Sequence, residues 1–200
     1  MIYYKIIAFV ILLTFYGCYI VKMLHQKSMG IQTDHLGKET TGFPKMIEIC
    51  LKISSYVIVV VTIISIISYN KIISHAISII GLILATLGTG IFIKAVTDMK
   101  NNWRAGVCEK DKTELVTNGI YGWSRNPAFL GFDLTYIGIL TAFFNITLLI
   151  ITVITVTIFH LQIVNVEEDF LLDRFGEEYL HYKKSVNRYL GKKRNRNFSL

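Results

Sequence analysis

Two short polar clusters hold the side chains of this chain that are equipped for chemistry. The first is Ser124-Arg125-Asn126-Pro127. Asn is a favoured N-cap and Pro a favoured first helical residue, so a helix should start there. The free N–H groups and positive dipole end of such a helix suit an anion such as a carboxylate, and Arg125 adds a fork of donors. A capped helix with an interfacial Arg is the plainer account of the same residues. The second cluster is Glu167-Glu168-Asp169. One of these carboxylates can face back toward Arg125 and bind a cation. Acids near a helix N-terminus also stabilise it by ~0.3–1 kcal/mol with no functional role. Tyr179 and Tyr182 share a helical face, fit either for anchoring at a membrane interface or for walling a cationic group. Asp133 and His160 are ionisable residues inside apolar runs, and so are candidates for touching substrate. No His, Cys or acid spacing matches a metal site, and no phosphate loop or serine-nucleophile motif is present.

The elements that must position these residues are apolar. The chain has 200 residues, 52% of them hydrophobic, and a mean hydropathy of +0.49, too oily for an ordinary soluble domain. Five runs account for this: 6–24, 53–69, 72–96, 128–144 and 146–164. Each is about 17–25 residues, the length that crosses ~30 Å of hydrocarbon. The expected fold is therefore an all-α polytopic membrane protein with about five transmembrane helices and a C-terminal cytoplasmic amphipathic segment. Residues 1–96 form three spans with a cytoplasmic loop at 25–48, a connector or a partial lid over a site. Residues 97–200 form the catalytic region: loop 97–126, hairpin 127–164, helices 165–190 and a basic tail 191–200. Asn70 and Lys71 alone join the second and third spans. Gly81, Ala85, Gly88 and Gly90 on the third let helices approach closely in lipid. Asn118-Gly119 marks a turn, and Gly176 a helix stop.

The net charge of +7 is distributed by side rather than gathered into a nucleic-acid patch. Lys22, Lys27, Lys38, Lys45 and Lys52 lie in or beside the first loop. Lys94, Lys100, Arg104, Lys110, Lys112 and Arg125 lie in or beside the third, and the rest follow Val164 except for Lys5 and Lys71. This places the N-terminus outside and the C-terminus in the cytoplasm. The tail Lys192-Lys193-Arg194-Asn195-Arg196 is an orientation signal that also suits anionic membrane lipids. The first run is long and lacks a small-x-small cleavage site, so it reads as a span rather than a leader. Cys18, Cys50 and Cys108 stand apart, with no disulfide framework; Cys108 reads as a reduced thiol and the other two as packing residues.

Together these pieces resemble the isoprenylcysteine carboxyl methyltransferase family, within the wider group of phospholipid methyltransferases. The resembling stretches are Thr113-Glu114-Leu115-Val116-Thr117-Asn118-Gly119-Ile120-Tyr121 and Ser124 through Gly131. After the hairpin come Glu167-Glu168 and Phe175-Gly176-Glu177-Glu178-Tyr179 through Val186. The resemblance implies S-adenosyl-L-methionine as cofactor, bound by Thr113, Glu114, Leu115, Val116, Tyr121, Asn126, Pro127, Ala128, Phe129 and Glu167. Arg125 would sit beside it, and Arg125 and Glu167 would carry catalysis. It further implies direct methyl transfer from a sulfonium to a lipophilic or lipid-linked acceptor entering from the bilayer. A carboxylate acceptor is already ionised and needs no general base. Asn126 replaces the family's His before Pro, Phe129 replaces its Tyr, and Ile163 replaces an Arg associated with substrate, a role His160 is placed to take. The Ser-Arg-Asn-Pro form is similar to the bacterial branch, which implies a prokaryotic plasma membrane. Two alternatives compete: an NADPH-dependent sterol-type reductase, and a non-catalytic membrane protein that keeps the fold. The sequence leaves the acceptor and the oligomeric state open.

Overall fold

A computed structural model describes residues 1–70, 74–108 and 113–192. Lys71, Lys110, Lys112 and the tail from Lys193 onward lie outside the described residues. The described chain is helical, without a regular strand. Its elements are α1 (Ile2–Ser28), α2 (Gly42–Ser68), α3 (His75–Met99), α4 (Pro127–Ala142), α5 (Ile146–Gln162) and α6 (Glu168–Ser185). A π-helical turn, Ile163–Glu167, joins α5 to α6.

The helices α1, α2, α3 and the α5–α6 rod are long and apolar enough to cross a membrane, and α4 is a shorter apolar helix. The protein is thus an all-helical, polytopic membrane protein. Two boundaries differ from the sequence reading. The helix α2 begins at Gly42, so the first loop is short, and α3 begins at His75 rather than directly after a two-residue turn. The extra turns of α2 carry Lys45 and Glu48, too polar to register in a hydropathy run, yet they fold because Glu48 finds partners in the loop above it.

Packing follows the small residues. Lipid tails are as apolar as Leu, so helices associate in the bilayer through close van der Waals contact rather than through the hydrophobic effect. The closest approach joins α3 to α4. A Cβ on Gly138 would meet Ala85 N at 2.4 Å, and one on Gly81 would meet Gly138 O at 2.6 Å. Gly88 and Gly131 repeat this contact nearer the loop end. By contrast Gly90 faces open space. The helix α2 packs along α5, whereas α1 leans on α3 and makes little contact with α2. Phe15, Phe92, Phe132, Tyr136 and Phe159 interlock in mid-bundle, Phe15 and Phe92 with ring centroids 4.7 Å apart. Asn145 caps α5 by accepting from Leu148 N at 2.9 Å, which lets α4 and α5 reverse without a charge. At Gly176 the backbone turns to φ 50°, breaking α6 where the sequence placed a stop.

Candidate active site

The loop end of the bundle is built from two polar connections that clasp each other. His35 N donates to Ala105 O at 2.8 Å and Ala105 N to Thr33 O at 2.9 Å, which welds the first loop to the third. Beneath them the buried Gln26 donates to Trp103 O at 3.0 Å and accepts from Thr33 Oγ1 at 2.7 Å. The first loop is therefore more than a connector: Asp34 and Leu36 reach the wall of the cavity described next. At the other side the chain after α6 folds back. Arg125 N donates to Asn187 O, Asn126 N and Nδ2 donate to Arg188 O, and Gly191 N donates to Trp123 O. Asn126 does occupy the N-cap position of α4, but its side chain secures this returning segment instead of capping the helix.

Between these layers lies a cavity of about 480 Å³, within the range of small-molecule sites. Thr113 through Val116, Tyr121, Arg125, Asn126 through Phe129 and Glu167 all line it. Those residues come from the third loop, the start of α4 and the π-turn. The π-turn shifts the register of the α5–α6 rod, so that Glu167 faces the cavity and Glu168 faces away. Asp133 and His160 do not line it. His160 is exposed and its Nδ1 lies 2.7 Å from Tyr189 Oη; the cavity residue near Ile163 is Gln162. The helical period explains this, since α4 presents Phe129, Phe132 and Tyr136 inward and α5 presents Phe159 and Gln162.

Glu168 holds the site's framework. It is 4% exposed, and it pairs with Arg125 at 2.9 Å, Arg188 at 2.7 Å and Lys183 at 3.0 Å. Helix-terminal placement alone does not describe this carboxylate. Burial pushes it up, but the hydrogen bonds from Arg188 and Lys183 and the Arg125 charge prevail and hold it at about 2. Arg125 also donates to Tyr179 Oη at 2.9 Å, while its Nε is buried with no partner. Tyr182 Oη donates to Tyr121 O at 2.7 Å. Both tyrosines are therefore buried structural donors and acceptors, not interface anchors. Glu167 behaves oppositely: burial, then the charge of Glu48, pushes its carboxyl up to about 8. The cavity thus has a cation-rich side at Arg125 and an acidic side at Glu167.

Below this polar zone the cavity continues between α1 and α2. Tyr16, Tyr19, Ile20, Ser55 and Tyr56 line that part, with Lys52 and Asp34 paired at 2.8 Å beside it. Tyr16 and Tyr136 meet hydroxyl to hydroxyl at 3.0 Å at the deep end. Ile20 and Tyr56 are also exposed on the outer surface, so this lobe opens sideways. Sequence spacing gave no sign of α1 and α2 residues here, because the contacts are non-local. The same is true of His35, Glu39 and Cys108, which each bring one potential metal-ligating atom within 4.8 Å of the others where the two loops meet. The cysteines are free, with Cys108 buried and Cys50 exposed.

Fold and cavity define a helical membrane protein with a polar, cofactor-sized site at the head of a laterally open apolar lobe. The chain belongs to the phospholipid methyltransferase family, whose sequence model matches residues 76–178. It is similar to proteins named protein-S-isoprenylcysteine O-methyltransferase. The Saccharomyces cerevisiae relative is 38% identical over 72 residues, covering 36% of this chain and 30% of that protein. For Tribolium castaneum the identity is 31% over 114 residues, 56% and 41% of the two chains, and for Mus musculus 34% over 108 residues, 53% and 38%. The chain spans 30–41% of the length of these relatives. They bear out the resemblance read from residues 113–186 and do not favour a reductase.

Proposed function

We propose that this protein is an S-adenosyl-L-methionine-dependent methyltransferase acting on a lipophilic acceptor that enters from the bilayer. The observation that carries the proposal is the convergence of every cofactor residue expected from the sequence on one cavity that is continuous with an apolar lobe. When bound, the cofactor supplies an electrophilic methyl group on a sulfonium. The cavity residues fit such a ligand. Glu167 has no cation partner among the described ion pairs and offers a carboxylate to a positive group, while the partnerless Nε of Arg125 and the N–H groups at the start of α4 offer donors to a negative one. Leu115, Val116 and Phe129 supply apolar walls that exclude water, which keeps a sulfonium from hydrolysis and strengthens the electrostatics inside. Lining up acceptor and cofactor is then the main task of the protein.

The acceptor reaches this point through the lobe between α1 and α2, where an apolar chain lies against Ile20, Tyr56 and the mid-bundle rings. The Lys and Arg distribution supports a loop end in the cytoplasm, and the Ser-Arg-Asn-Pro form supports a prokaryotic membrane. The relatives are named as O-methyltransferases of protein S-isoprenylcysteine, and carboxyl O-methylation suits this site because an ionised carboxylate needs no base. Calorimetric titration of detergent-purified protein with S-adenosylmethionine and S-adenosylhomocysteine, with NADPH alongside, tests the proposal. Saturable binding of the adenosyl ligands is expected, weakened in Glu167→Gln. Affinity unchanged in that variant, or binding of NADPH alone, would sink it.

A further inference from the structure

In the cavity wall and directly behind it lies a set of polar atoms that the account above leaves without a role. Gln162, the last residue of α5, is fully buried and lines the cavity; its amide lies toward the Glu167 carboxyl, and no other group bonds its oxygen or its nitrogen. Glu48 of α2 is equally buried. Its Oε2 accepts from Gly37 N at 2.9 Å and Thr40 Oγ1 at 2.6 Å, but its Oε1 accepts from nothing. That free oxygen lies against Gly106, where a Cβ would come within 3.1 Å of it, and Gly106 lines the cavity. Glu167 completes the set, with Gln162 beside it and close enough to Glu48 to feel its charge. Among the described ion pairs, none involves Glu48 or Glu167.

Buried polar atoms in native proteins are nearly always bonded, and buried charges are paired. Here acceptor oxygens from α5 and the π-turn lie in the wall of the cavity and one from α2 lies against that wall at Gly106, and no described ion pair brings a cation to either carboxylate. A primary ammonium supplies one: three N–H donors on one cation, with no acceptor to satisfy.

We propose that Glu48, Gln162 and Glu167 form a cradle for the primary ammonium of a bound ligand. The proposal rests on the methyltransferase reading for its choice of ligands. Two carry this group: the amino-acid end of the cofactor, and an acceptor whose polar end is an amine. Either way Glu48, which lies outside the stretch matched by the family, is a binding residue supplied by the N-terminal half of the chain.

Four probes titrated into the full, detergent-solubilised chain separate the sources. One pair is S-adenosylhomocysteine and its des-amino analogue; the other is decylamine and decanol. In one pair the ammonium-bearing member should bind roughly ten- to a hundredfold more tightly than its mate, the range for a charge-assisted hydrogen bond. That preference should vanish in Glu48→Gln and in Gln162→Met. Partitioning into detergent is common to wild type and variants and cancels. Preference in the first pair assigns the cradle to the cofactor, and preference in the second assigns it to an amine acceptor. Adenosyl binding with no preference in either pair overturns the cradle and leaves the methyltransferase reading standing. Preference in the amine pair without adenosyl binding does the reverse. Thr40→Val removes a bond to the first loop but keeps the Glu48 carboxylate. If Thr40→Val and Glu48→Gln weaken both members of a pair equally, Glu48 acts only through the loop and the proposal fails.

Discussion

Replacing Glu168 by Gln probes the framework of the site with one atom. The side chains of Glu168 and Arg125 are each 4% exposed, and the pair is 2.9 Å apart. In Glu168→Gln an amide NH2 faces two guanidinium groups and an ammonium, so donors meet donors. Arg188 and Lys183 are 31% and 40% exposed and can turn to water, which makes their share of the loss small. Arg125 cannot: it keeps only Tyr179, and its charge stays buried. Breaking a buried ion pair from one side costs about 3–5 kcal/mol. For a chain of this size each kcal/mol moves Tm by about 2–4 °C, so Tm should fall by about 6–20 °C. Intrinsic-fluorescence melts of the detergent-solubilised protein measure this. The double variant Arg125→Met/Glu168→Met should recover much of the loss, since removing both charges leaves no orphan. A drop of less than ~2 °C in the single variant, or a double variant as unstable as the single, would refute the reasoning. The same pair carries a pH signature. With the carboxyl held at about 2 in the folded protein and near 4.3 in the unfolded chain, its contribution is complete above about pH 4.5 and is lost as pH falls toward 2. Glu168→Gln should flatten the Tm profile in that window.

Three further outcomes are expected. Glu167, with its carboxyl pushed up to about 8, is mostly protonated at neutral pH, and a cationic ligand favours its ionised form. Affinity for S-adenosylmethionine should therefore rise from pH 6 to 8, by at most about tenfold per unit, and then level; titration in buffers of different ionisation heat should count the released proton, and Glu167→Gln should abolish the slope. Gly138→Ala should separate α3 from α4 and cost about 1–3 kcal/mol, seen as a lowered Tm, whereas Gly90→Ala, which meets nothing, should not. His160→Ala should leave adenosyl-ligand affinity unchanged, because His160 sits on the outer surface against Tyr189.

Local chemistry was legible in the sequence wherever one stretch of chain decides it. The apolar runs located the helices, Gly176 marked its break, and Thr113 through Val116, Tyr121 and Arg125 through Phe129 share a cavity because they are neighbours in one loop and helix start. Glu167 was legible too, but the reason it faces inward was not: a π-turn changes the helical register, and no residue type announces it. Asp133 and His160 lie off the cavity, and the sequence could not show this because a polar residue in an apolar run says nothing about which face of the helix it occupies. Glu48 and Gln162 were missed because their significance is an absence of partners, which exists only once α2, α5 and the third loop are in place.

That division bears on what the chain acts on. The family match begins at residue 76, so it takes in the third loop, α4 and the Glu167 turn, but not α1, the first loop or α2. The unmatched part supplies one wall of the apolar lobe, the Asp34–Lys52 pair beside it and the Glu48 carboxylate behind it. On the proposed function, the expected methyl-donor residues all lie within the match, whereas the lobe that would receive the acceptor is walled partly by the matched α4 and α5 and partly by α1 and α2, which lie outside it. The relatives therefore bear more directly on the donor site than on the acceptor. Exchanging residues of α1 and α2 that line the lobe should alter which acceptors are used while leaving adenosyl-ligand affinity in place, and a loss of both together would show that the two halves do not divide the work in this way.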